Sequence, residues 1–248
     1  MKKVFSIIFF QIISISCFSQ NKIIELNSVL KKIEVVDDLS LLDKKKFPTL
    51  SILTIQNEME RDIDFGYRHF RKLIMTHSDG DFRIDIISYG DSIKLGITTV
   101  IDWKDNEPKE YEFFSDSNSF ITNYLKKHNA FYETDIQKDQ LIEQLNDEYT
   151  VGFGCGIVGM DIPKYSQLMQ RYTKQKNRKK LNAWLRSFSP ELQTLGTIGL
   201  LNLGSVGKDE MNIIKHLEKR NSKINTCSGC LYGLEIEFKR VIKIKIDY

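Results

Sequence analysis

Three of the four cysteines carry the clearest chemistry in this 248-residue chain: Cys155 in a glycine-rich run, and Cys227 and Cys230 in a Cys-Ser-Gly-Cys motif. In an oxidising compartment such thiols become disulfides. Three cysteines allow three single pairings, each leaving one thiol over. Cys227 with Cys230 closes a small loop that Gly229 helps to turn. Cys155 with either of them ties the glycine-rich segment to the end of a helical block, a longer loop whose closure constrains the unfolded chain by ~4 kcal/mol. Thiol–disulfide exchange calls for an attacking cysteine at a helix N-terminus inside a thioredoxin-like βαβ unit. Here the pair follows a helix and precedes a turn and a strand. Zinc needs four ligands, of which the motif supplies two, with Cys155 and His216 as a third and fourth. A structural disulfide drawn from Cys227, Cys230 and Cys155 is the favoured reading, ahead of buried reduced thiols, exchange or metal binding.

Other constellations are weaker. Gly152-Phe153-Gly154-Cys155-Gly156 lacks the Gly-Lys-Ser/Thr ending of a phosphate loop and the glycine offsets of a dinucleotide fingerprint. It reads as a place where the chain packs closely. His69, His77 and His128 show no His-Glu-x-x-His spacing, and there is no Gly-x-Ser-x-Gly elbow. Glu58, Glu60 and Asp62, or Asp102 with Asp105, could be drawn as acid pairs for glycoside hydrolysis, but such pairs are mostly solvated surface. Trp103 and Trp184 could stack on a ligand, although Trp184 falls on an apolar stripe and reads as core. No residue is assigned a catalytic or metal-binding role, and no cofactor is implied.

The elements that would hold the cysteines are legible. Leu181, Trp184, Leu185 and Phe188 recur at helical spacing. Ser189-Pro190-Glu191 then supplies an N-cap, a proline at the first helical position and an acid in the first turn, announcing a helix through Leu192, Leu195, Ile198, Leu201 and Leu203. It stops near Gly204–Gly207, and another starts at Asp209-Glu210 with Met211, Ile214 and Leu217 inward. These residues, with Cys155-Gly156, Pro163 and the closing Cys227-Ser228-Gly229-Cys230, resemble a group of exported, functionally uncharacterised proteins of Bacteroidetes-type bacteria whose helical portion is similar to HEAT-like repeats. The resemblance covers residues 150–233 and implies no enzymatic activity. Only about one and a half helical units are present, so the likeness describes local packing rather than a solenoid.

Upstream, helices are predicted within residues 22–46 and from Ile55 to Thr76, the second with Met59, Ile63, Tyr67, Phe70 and Ile74 inward. The period then changes. Phe82, Ile84 and Ile86 alternate with Arg83, Asp85 and Ile87 as a half-buried strand, followed by strands over Ile93–Ile101 and Glu110–Phe114, a three-stranded antiparallel meander. Helical spacing returns around Phe120–Leu125, over Ile136–Tyr149 and after Pro163, and Leu234–Tyr248 reads as a last strand. The fold class is α+β: a small antiparallel meander packed with helices, then a mostly helical HEAT-like unit. The organisation read from the chain is a signal peptide over 1–19, an α+β region over 20–150, a helical region over 151–233 and a strand or tail over 234–248.

The address follows from the first twenty residues. Lys2 and Lys3 precede an apolar run to Ile15, and Cys17-Phe18-Ser19 places small residues at −3 and −1 of a signal-peptidase site, predicting cleavage after Ser19. The run is shorter than the roughly 20 apolar residues of a spanning helix, and no second run approaches that length. A competing reading lipidates Cys17 and anchors the protein to the envelope. Removing residues 1–19 leaves 34 basic against 33 acidic residues, a balance that argues against a dedicated nucleic-acid surface. Lys44–Lys46 and Arg178–Lys180 read as solvated loops or helix ends. A composition of 41% hydrophobic and 28% charged residues is that of an ordinary globular protein. Together these features describe an exported, periplasmic or extracellular binding or structural module, non-enzymatic and stapled by a disulfide, with a protein or peptide partner. The alternative is an envelope redox protein or other enzyme using the Cys-x-x-Cys pair.

Overall fold

A computed structural model describes residues 23–37, 52–76, 80–101, 108–115, 118–220 and 222–243. The expectations for the signal peptide, Cys17, the basic run at 44–46, His77 and Trp103 with its neighbouring acids lie outside the described residues. The fold class is α+β, in two compact units. Unit 1 comprises residues 1–59 and 69–120, and unit 2 comprises 60–68 and 121–248.

Unit 1 is built on a five-stranded antiparallel sheet in sequential order: β1 (Ile52–Asp62), β2 (Tyr67–Thr76), β3 (Asp81–Tyr89), β4 (Ser92–Ile101) and β5 (Pro108–Phe113). Helix α1 (23–30) lays Ile23, Leu26 and Leu30 against Phe70, Ile74, Phe82, Ile84, Ile86 and Val100. Register pairs Ile86 with Gly96, and a Cβ on Gly96 would fall 2.2 Å from the Phe114 ring, so that glycine makes room for the aromatic.

Two expectations are corrected here. The helix over Ile55–Thr76 is instead β1, a short 3-10 turn (Asp64–Gly66) and β2. Met59, Ile63 and Tyr67, and Phe70 and Ile74, are spaced by four, which keeps residues on one face of a strand as well as of a helix. The turn at Phe65 and Gly66, with φ of 65° and 77°, then folds the chain back. Strand β3 is also buried on both faces rather than one, because Arg83 and Asp85 are inside. Asp85 accepts from Arg71 Nε at 2.7 Å, Arg83 Nε at 3.0 Å and His69 Nε2 at 2.8 Å, which satisfies a charge that burial alone would penalise.

The helices of unit 2 are α2 (Asn118–Tyr132, which enters from unit 1), α3 (Lys138–Asn146), α4 (Lys164–Lys174), α5 (Arg178–Leu185), α6 (Pro190–Asn202) and α7 (Lys208–Arg220). They are followed by a hairpin of β6 (Lys223–Ser228) and β7 (Leu231–Glu237) and the single turn α8 (Phe238–Val241). Helix α6 begins as its sequence announces, with the Ser189 hydroxyl accepting from Leu192 N, and every residue from Pro190 to Leu200 is buried. A polar face enclosed in this way must satisfy itself: Thr194 and Thr197 donate to the carbonyls of Pro190 and Gln193, at 2.7 and 2.8 Å. Helix α5 crosses so close that a Cβ on Gly196 would meet Leu185 N at 2.4 Å.

Leu181, Leu185, Leu195, Ile198, Ile214 and Leu217 form the centre of this core, with Trp184 packed at its margin. Leu201, near the end of α6, is 38% exposed. The last strand is shorter than expected. Phe238 and Val241 both turn into the core, a spacing of three that a helical turn meets, and Ile244–Tyr248 lie outside the described residues. The glycine-rich run at 150–162 lies inside unit 2. No helix among the described residues is long and apolar enough to cross a membrane.

Candidate functional site

The structure brings Cys155, Cys227 and Cys230 together in unit 2. Cys155 and Cys227 form a disulfide across 72 residues, with Cα atoms 5.6 Å apart, and Cys230 is free and exposed. Of the pairings the sequence left open, this is one of the two long-loop ones. Its cause is a stretch of parallel pairing between residues 151–155 and β6: Val151 N donates to Asn225 O at 2.9 Å, Cys227 N to Val151 O at 3.1 Å, and Gly229 N to Gly154 O at 2.8 Å. Gly152 lies against the bridge, where a Cβ would sit 2.3 Å from Cys227 Sγ and 2.5 Å from Cys155 Sγ. Close packing of the chain past Cys155 is therefore the reason for that glycine.

Directly beyond the disulfide the chain makes a small projecting loop. Cys155 and Asp161 exchange backbone hydrogen bonds at 2.8 Å, and Gly156 and Gly159, at φ of 80° and 66°, turn the segment between them. The loop presents Ile157, Val158 and Met160 at 91%, 75% and 79% exposure. The β6–β7 turn, held to Gly154 through Gly229, exposes Leu231 and Tyr232 as well as Cys230. Exposed large apolar side chains gathered on a fixed base are uncommon on a solvated surface. Sequence reasoning took 150–162 as a boundary and missed this loop; the available signal was three large apolar residues set around Gly156 and Gly159, too short a run for a core element.

The cysteine geometry bears on the competing chemistries. The Cys-x-x-Cys motif occupies a strand end and a hairpin turn, not the helix N-terminus that stabilises a reactive thiolate. Cys155 and Cys227 are joined to each other, so the zinc set drawn from the sequence has lost two thiolates. Among the described residues no group of three or more His, Cys, Asp or Glu is arranged to hold a metal ion.

A second cluster in unit 2 went unread in the sequence. Asp64, at the 3-10 turn, is buried; it accepts from Tyr132 Oη and His216 Nε2 and forms an ion pair with Arg220 Nη1, each at 2.9 Å. Burial pushes its carboxyl up, but the Arg220 charge and these hydrogen bonds outweigh burial and hold it well below the usual carboxylate range. Burial also raises the Tyr132 phenol and lowers the His128 imidazole. The His216 ring lies 4.5 Å from Phe131 at a cleft of about 410 Å³ that Arg186, Ile213 and Lys219 also line. An ionised carboxylate only accepts, so Nε2 of His216 carries the proton. No hydroxyl or thiol nucleophile is hydrogen-bonded to this imidazole among the described residues. The cluster joins the 3-10 turn to α7, and nearby Arg61 pairs with Glu191 at the start of α6 in the same way. The clue in the sequence was Asp62-Ile63-Asp64-Phe65-Gly66, whose closing Phe-Gly breaks a helix.

Compared with protein-family models, with curated proteins and with solved structures, the chain matches none.

Proposed function

We propose that the protein is an exported, non-enzymatic binding module that engages a protein or peptide partner through the apolar loop Gly156–Met160 and the adjoining β6–β7 turn. The observation that carries this reading is the exposure of Ile157, Val158 and Met160 on a base fixed by the Cys155–Cys227 disulfide. A rigid base reduces the ordering cost of association. Burying a side chain of this size contributes about 2 kcal/mol. A disulfide is compatible with the oxidising compartment that the N-terminal segment predicts. The resemblance to exported Bacteroidetes-type proteins with HEAT-like helices accords with the close α5–α6 pair and with a role in binding rather than catalysis.

The test is recovery of partners from envelope extracts with the wild-type protein, with the Ile157→Ser/Val158→Ser/Met160→Ser variant and with Lys219→Ser as a surface control remote in sequence. A partner held by wild type and by Lys219→Ser, and bound roughly a hundredfold more weakly by the loop variant, is the expected result. Equal retention by all three rules the loop out as the docking element. Sequencing the secreted form separates the two envelope readings, a free protein starting at Gln20 or one lipidated at Cys17.

A further inference from the structure

Cys230 stands three residues from a disulfide-bonded sulfur and is exposed, while Cys155 and Cys227 are buried. Its turn is bound to the strand that carries Cys155, because Gly229 donates to Gly154 and pairs with Cys155 in a parallel bridge. The pairing that brings Cys155 to Cys227 therefore also sets the corner bearing Cys230 beside the disulfide. A Cβ on Gly229, at φ +54°, would meet nothing within 4 Å, so this side of the corner is open space. The hairpin ladder is already irregular here, with a register shift between Thr226 and Ser228 that contains Cys227. On its other flank the disulfide is closed off by Gly152.

We propose that the three cysteines are one exchangeable set, in which Cys230 takes Cys227 from Cys155 and thereby sets whether the docking loop is held. The proposal rests on the reading of Gly156–Met160 as the docking element. In the exchange Cys230 gives its proton to solvent and its thiolate attacks Cys227 Sγ. The Cys230–Cys227 bond forms as the Cys227–Cys155 bond breaks, the electron pair leaves on Cys155, and Cys155 takes up a proton. One disulfide and one thiol stand on each side, so neither oxidant nor reductant is consumed. The native bridge ties residues 72 apart, whereas the exchanged one ties neighbours within a single turn. After exchange the 152–162 segment keeps its hydrogen bonds and the packing of Phe153 against the core, without a covalent tie to the hairpin. The loop then loses its fixed base, and with it the docking surface. The Cys-x-x-Cys spacing, redundant for a structural bridge to Cys155, has a use in this scheme.

The experiment uses the oxidised mature protein held at neutral pH and at about pH 9, where thiolate is more abundant. Samples are quenched in acid, alkylated without reduction and mapped by mass spectrometry. Label should sit on Cys230 at first and spread in part to Cys155, faster at the higher pH because thiolate sets the rate of exchange, with Cys227 protected throughout. Cys230→Ser should take no label at either pH. Limited proteolysis of the same samples should cut within 152–162 faster as Cys155 becomes labelled, and should not accelerate in Cys230→Ser. Label confined to Cys230 at both pH values, in the presence of a trace of small thiol as catalyst, overturns the exchange. Label on Cys155 without faster cleavage overturns the release of the loop. Neither readout involves a partner, so failure of the docking reading would leave both unchanged and would show instead in the recovery experiment with the loop variant.

Discussion

Removal of the Cys155–Cys227 bridge gives a quantitative test of how unit 2 is held together. The bonded residues are 72 apart, and closing a loop of that length restricts the unfolded chain by ~4 kcal/mol in the chain-entropy treatment. The bridge also joins two strands that are otherwise held by a few backbone hydrogen bonds, and it packs against the Gly152 backbone, so loss of the sulfurs leaves poorly filled space beside it. The clean comparison is made in a Cys230→Ser background, which prevents exchange. There the Cys155→Ala/Cys227→Ala protein is expected to be less stable by ~4 kcal/mol in urea unfolding, with a thermal midpoint lower by roughly 10 °C for a chain of this size. The denaturant slope should increase, because the unlinked unfolded state is more expanded. Reduction of the parent with a phosphine should reproduce the shift. A change under ~1 kcal/mol by both routes would refute the loop-closure reasoning and, with it, the view that the bridge is the main lock on the 151–155 strand.

Asp64→Asn removes the carboxylate that neutralises buried Arg220 and should cost about 3 kcal/mol, read from urea unfolding. Asp64 and Glu191 are buried acids whose pKa burial raises, but Arg220 beside the first and Arg61 beside the second outweigh burial and depress it. The stability they contribute is therefore fully present above the ordinary carboxylate range, around pH 4, and is lost progressively below that range as pH falls toward the depressed folded-state values; Asp64→Asn should flatten the acid limb of the stability profile. Gly196→Ala would drive a methyl into the α5 backbone and should destabilise by about 2 kcal/mol despite the better helix propensity of alanine, measured by thermal unfolding. Gly152→Ala places a methyl against both sulfurs, and should raise the number of thiols that alkylate without reduction above the single Cys230 of the parent.

Legibility in the sequence followed the range of the interactions. Strands β3, β4 and β5 announced themselves because alternation is local, and α6 did so because Ser189-Pro190-Glu191 specifies a helix start within three residues. Strands β1 and β2 were hidden by a spacing of four, which a helix and a strand share. Strand β6 was hidden by its polar Lys-Ile-Asn-Thr-Cys-Ser run; it pairs on one side with the adjacent β7 and on the other, at Thr226, with the distant Val151. The cysteines were recognisable as a set, yet the choice among their pairings is made by the parallel bridge from Val151 to Thr226, a contact no local pattern encodes. Ile157, Val158 and Met160 are apolar by type, and it is the Cys155–Asp161 hydrogen bonds together with the turns at Gly156 and Gly159 that project them outward. Asp64 and His216 are 152 positions apart, and neither has a neighbour in the sequence that hints at the other.

The membership of residues 60–68 in the same compact unit as residues 121–248 has a consequence for how the protein can be made. Arg61 meets Glu191 across 130 positions and Asp64 meets His216 across 152, so the charges of α6 and α7 are neutralised by a segment synthesised long before them. A fragment starting at residue 121 would bury Arg220 and Glu191 without their counter-ions. Translation from the N-terminus therefore cannot complete this unit until its last helices have emerged, so residues 60–68 are made long before the side chains that neutralise them.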